Sequence, residues 1–142
     1  MHYTRQRSYT TSTTMEQVNN SIFIPGDVPS SKNSKVWTGK YLVHSKAVTR
    51  YIKNTKLFYG NKKSIADFHA MFLQTELPYR IAFQFVRETK RLFDYINMAQ
   101  IVQDLMVENK WIPEDNCDVI IPVFLPYLYN KQNPGVHISV IQ

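Results

Sequence analysis

Between Tyr79 and Phe124 the apolar residues change their period twice, which restricts the chain to a sheet with at least one helix packed on it. From Tyr79 to Arg87 they alternate, with Tyr79, Ile81, Phe83 and Phe85 on one side, the pattern of a half-buried strand. From Asn97 to about Asn109 they recur at helical spacing. Met98, Ile101, Val102 and Leu105 form the apolar stripe, and Asn97, Gln100 and Asp104 a polar one. Val119 to Phe124 reads as an apolar strand, and Pro122 within it points to an edge or a bulge. Carboxylates stand at both ends of the helical segment, in Phe93-Asp94-Tyr95-Ile96-Asn97 before it and Glu114-Asp115-Asn116-Cys117-Asp118 after it.

The remaining elements follow from the same patterns. Ser21-Ile22-Phe23-Ile24 is a short strand stopped by Pro25-Gly26, and the polar stretch from Val28 to Lys35 holds too many turn formers for regular structure. Ser45 is placed to cap a helix from Lys46 to about Lys56, with Val48, Tyr51, Ile52 and Thr55 on one face. Tyr59-Gly60-Asn61 interrupts it. A second helix follows from Ser64 to about Gln74, with Ile65, Phe68, Met71 and Phe72 inward. Val136 to Ile141 is a last alternating strand. The order β-α-α-β-α-β-β predicts a single α+β domain over residues 20–142, with a mixed sheet and helices mainly on one face. Residues 1–19 lack apolar periodicity and are expected to be a disordered tail, with Met15 as an alternative start.

Charge is unevenly placed in this chain of net charge +6. From Ser31 to Gly60 stand seven cations (Lys32, Lys35, Lys40, Lys46, Arg50, Lys53, Lys56) and no acid, whereas seven of the eleven acids lie between Glu88 and Asp118. Thirty residues without a carboxylate favour a polyanionic partner over a merely solvated surface. Trp37, Tyr41, Tyr51 and Tyr59 interleave with those lysines, as base-stacking residues would, although such rings also serve in cores.

Other chemistries are poorly supported. No apolar run is long enough to span a bilayer and no apolar segment of signal-peptide type follows the basic N-terminus, so no membrane role is expected. Cys117 is the only cysteine, which excludes a disulfide framework and fits a reducing, cytoplasmic setting. His44, His69 and His137 lack metal-ligand spacing. Asp94 stands where an N-cap stands, and that position also holds a carboxylate in a fixed direction. Asn97, Gln100 and Asp104 point to the side that Asp94 can also reach, and with the acids Glu114, Asp115 and Asp118 after the helix they are candidates for a hard divalent ion, which needs several oxygen ligands.

Four segments, in this order, resemble the RusA-type Holliday-junction endonucleases. Ile24-Pro25-Gly26-Asp27-Val28-Pro29-Ser30-Ser31-Lys32-Asn33-Ser34 is similar to the family's opening Pro-Pro-Ser-x-Asn signature. Val43-His44-Ser45-Lys46, leading into a Tyr-bearing helix, is similar to the segment after it. Phe93-Asp94-Tyr95-Ile96-Asn97 resembles the central Asp-x-Asp-Asn motif, and Asn109-Lys110-Trp111-Ile112-Pro113-Glu114-Asp115 the later stretch ending in an acidic pair.

The resemblance implies a homodimeric, Mg²⁺- or Mn²⁺-dependent, structure-selective endonuclease acting on branched DNA in recombination, repair or phage and prophage DNA processing. It implies Asp94 and Asp115 as catalytic metal ligands, Asn97 and Asp104 in support, and Glu114 or Asp118 as replacement ligands. Phosphate contacts would fall to Lys32, Lys35, Lys40, Lys46, Arg50, Lys90 and Arg91. Two family positions are altered: Ile96 replaces the second aspartate and Gln100 the lysine. The alternative expectation is therefore a catalytically inactive DNA-binding protein on the same fold.

Overall fold

The computed structural model describes residues 20–31, 35–39, 42–73 and 75–142. The expected tail over residues 1–19 lies outside them, as do Lys32, Lys40 and Tyr41. Strand β1 (Ile22–Pro25) is followed by a short antiparallel hairpin, β2 (Lys35–Trp37) with β3 (Leu42–His44). Helices α1 (Lys46–Tyr59) and α2 (Lys62–Ala70) lead into β4 (Tyr79–Arg87). Then come α3 (Tyr95–Glu108), β5 (Ile120–Phe124), β6 (Leu128–Tyr129) and β7 (Gly135–Val140). The main sheet runs β1-β7-β4-β5, with β6 also on β4; β4 is antiparallel to β7 and parallel to β5 and β6. This is the expected α+β class with a mixed sheet, and three helices lie among the described residues.

Register explains the core. Ile24 lies opposite Val136 and Val136 opposite Phe85, while Ile138 lies opposite Phe83 and Val140 opposite Ile81. These residues therefore share one face, and they are buried in a single cluster with Val48 and Tyr51 of α1, Phe68 of α2 and Met98, Val102 and Met106 of α3. The alternate residues of β4, Ala82, Gln84 and Val86, are buried too, so β4 is covered on both faces rather than half-buried. One contributor is the β5–β6 connection, whose Pro126 carbonyl accepts a hydrogen bond from Gln84 Nε2 at 3.0 Å. Along that edge the register slips by one residue between Phe83 opposite Phe124 and Val86 opposite Leu128, the mark of a bulge. Pro122 sits on an edge strand, as its missing N–H requires.

Local chemistry sets the helix ends. Ser45 Oγ accepts from the Val48 N–H at 3.3 Å, and Asn61 Oδ1 from the Ser64 N–H at 2.9 Å. After α3, Lys110 takes φ 65°, its N–H reaches Val107 O, and the Trp111 N–H reaches Met106 O at 2.8 Å. That is a Schellman stop with lysine in the left-handed position usually held by glycine. It turns the fully buried Trp111 into the core, where its indole N–H donates to Tyr59 O at 2.7 Å.

Candidate nucleic-acid interface

The amphipathic pattern of α1 leaves four cations and no acid on its exposed side, with Thr49, Asn54 and Leu57 among them. Val48, Tyr51, Thr55 and Tyr59 point inward, while Lys46, Arg50, Lys53 and Lys56 are all exposed, and the helix carries no acid. Tyr51 and Tyr59 are therefore core residues, not the DNA-stacking rings their spacing among lysines suggested. Their hydroxyls bond each other at 2.9 Å, and burial pushes both phenols well above their ordinary range. Trp37 is exposed.

Beside α1 runs a groove of about 570 Å³. Ala47, Arg50 and Asn54 form the helix wall, and Gly26, Asp27, Pro29 and Ser30 the opposite wall, with Glu88 at the end of β4. Gly26 has φ 116°, a conformation glycine adopts without cost, and a Cβ there would sit 3.6 Å from the Tyr51 ring. Asp27 Oδ1 lies 3.5 Å from Arg87 Nε, close enough for an ion pair but without hydrogen-bond geometry. Burial raises the Asp27 pKa against the attraction of Arg87 and a hydrogen bond from the Glu88 backbone, with a smaller upward push from the Glu88 charge. The Arg87 guanidinium in turn covers the Phe93 ring at 4.4 Å.

The loop wall leads to α3, because the Ser31 N–H donates to Asn97 O. Asp94 occupies the N-cap position of α3, but its carboxylate caps no backbone N–H. It accepts instead from Asn97 Nδ2 at 3.2 Å. The two residues share a cavity of about 530 Å³ with Phe93, Tyr95, Ile96 and Phe124.

The other expected ligands lie elsewhere. Asp104 is exposed further along α3 and accepts from Gln100 Nε2 at 3.0 Å. Glu114, Asp115 and Asp118 are exposed beyond the opposite end of that helix, where Val119 O accepts from the Tyr79 N–H at the start of β4. A helix of 14 residues is about 20 Å long, and it stands between the segment that carries Asp94 and the one that carries Asp115. Among the described residues no group of three or more His, Cys, Asp or Glu side chains is arranged to hold a metal. The structure thus brings Asp94 together with Asn97, while Asp104 pairs with Gln100 and Glu114, Asp115 and Asp118 stand on the segment after the helix.

Of the expected phosphate contacts, Lys46 and Arg50 are exposed on α1, and Lys90 and Arg91 are exposed on the loop before α3. Lys35 begins β2, and Lys32 and Lys40 lie outside the described residues. Sequence reasoning passed over Asp27, Arg87 and Glu88. A signal for Asp27 existed: it is the only acid between Glu16 and Asp67. No helix among the described residues is long and apolar enough to cross a membrane. No family model matches the chain, and no curated protein matches it either.

Proposed function

We propose that the chain is a RusA-type branched-DNA protein that binds phosphates along the exposed face of α1. The observation carrying this reading is that helix itself: four exposed cations and no acid, beside a groove whose loop wall is bonded to Asn97. Phosphate contacts of this kind fix a duplex arm in place without reading its sequence. The Lys46→Glu and Arg50→Glu double variant tests the reading. Junction affinity should fall for all sequences alike, and the slope of affinity against salt should drop by about two. Unchanged affinity and slope would remove α1 from the interface.

A second reading, DNA cleavage with Mg²⁺ or Mn²⁺, is favoured by one arrangement: carboxylates exposed at opposite ends of a single helix. A two-fold dimer with α3 antiparallel to its copy would set Asp94 beside the partner's Asp115, twice over. Such an enzyme would be inactive as a monomer. Mixing the Asp94→Asn and Asp115→Asn proteins should then restore junction cleavage that neither shows alone, because each heterodimer keeps one intact pair. If wild-type protein cleaves but the mixture stays inert, sharing between copies is wrong. If wild-type protein is inert with both metals, the binding reading stands alone.

A further inference from the structure

The loop between β4 and α3 carries apolar surface that neither the core nor the α1 groove uses. Leu92 is fully exposed and Ile96 is 72% exposed, although both sit beside rings that pack well. Phe93 meets Tyr95 at 4.9 Å and Tyr127 at 5.2 Å, edge to face, and Tyr95 stacks on Phe124 at 5.5 Å. The Tyr127 N–H donates to Tyr95 Oη, which ties the β5–β6 connection to the start of α3. The result is a braced aromatic ledge whose outer ring, Tyr127, remains partly exposed. It opens on the cavity beside Asp94.

Charge decides what would cover it. Lys90 and Arg91 precede Leu92 directly and are exposed, and Lys90 Nζ lies 5.0 Å above the Tyr129 ring. Cores of protein–protein interfaces are depleted in lysine and aspartate, and here Lys90, Arg91 and Asp94 interrupt the apolar surface within five residues. Cations interleaved with partly exposed rings are the composition of single-strand binding surfaces, where bases stack and phosphates pair with the cations. An exposed aliphatic side chain beside such rings can also act as a wedge at a base step.

We propose that this ledge receives an unpaired nucleobase at a branch point, stacked on Tyr127 and flanked by Leu92 and Ile96, with Lys90 and Arg91 on the adjoining phosphates. The proposal rests on the branched-DNA reading and names the feature of the DNA that the ledge recognises.

The test uses the full chain and DNA carrying 2-aminopurine, whose fluorescence is quenched on stacking, at an unpaired position of a flap and at a paired position of a blunt duplex. Wild-type protein should change the fluorescence of the unpaired probe only. Tyr127→Ala should lower affinity for the flap about tenfold while leaving the blunt duplex unchanged, the size expected for one lost stacked base. The exposed pair Leu92→Ala with Ile96→Ala, which removes no core contact, should act in the same direction. Equal losses on flap and duplex, or no loss on either, would overturn the ledge while leaving DNA binding through α1 intact. Absence of binding to any DNA would overturn both readings. Conversion of a wild-type dimer to monomer by the Leu92→Ala and Ile96→Ala pair would overturn the ledge in favour of a contact between copies.

Discussion

His137 shows how one side chain can serve stability without serving the site. Its ring packs on Phe23 at 4.7 Å, and a hydrogen bond of 2.9 Å joins its Nδ1 to Ser21 Oγ. Burial lowers its pKa below the ordinary 6.5, because the charged imidazolium loses solvation there. The unfolded chain therefore binds more protons than the folded one as pH falls through that range. The stabilising contribution is fully present above 6.5 and is lost as pH drops toward the lowered folded value. Thermal unfolding followed from about pH 8 to about pH 5 should show Tm falling more steeply for wild type than for His137→Phe, which keeps a ring on Phe23 but cannot titrate. Equal slopes would mean that other groups carry the acid sensitivity. At the same scale, Ile96 is surface, and the Gln100 amide holds Asp104.

Helix ends carry the next prediction. A lysine at φ 65° bears a steric cost of about 1–2 kcal/mol that glycine escapes, part of it offset by the greater entropy glycine loses on folding. Lys110→Gly should accordingly raise stability by about 0.5–1 kcal/mol in denaturant titrations, and a loss would show that the Lys110 side chain has a supporting role. The three helices and strands β4 and β7 were legible because each is long enough for a period of 3.6 or 2 to stand out, and β1 and β5 because each is a short apolar run rich in β-branched residues. Strands β2, β3 and β6, of three, three and two residues, are too short for a period and form only because a partner backbone is present. Asp94 and Asn97 were legible as a pair because three residues apart on a helix means one face. Asp94 and Asp115 are separated by the whole of α3, a rigid spacer already visible in the sequence. The contacts of Asp27 with Arg87 and Glu88 join residues sixty positions apart through the sheet, which no local pattern reports.

At the scale of the whole molecule, a basic helix face, a groove lined by Asp27 and Glu88 and the Asp94–Asn97 pair follow one another from α1 to the start of α3. A single copy presents one such track, and among its described residues no group of three or more His, Cys, Asp or Glu side chains is arranged to hold a metal. A branched DNA presents several arms, and a two-fold pair of copies would offer a track to each of two of them. Two tracks on such a pair would confer selectivity for the branch, rather than affinity for DNA in general. That selectivity is tested most directly by the affinities of a synthetic four-way junction and a linear duplex of the same arm sequence, measured in one buffer without divalent metal. The junction should bind at least about tenfold more tightly, a difference of about 1.4 kcal/mol. Equal affinities would rule out selectivity for the branch.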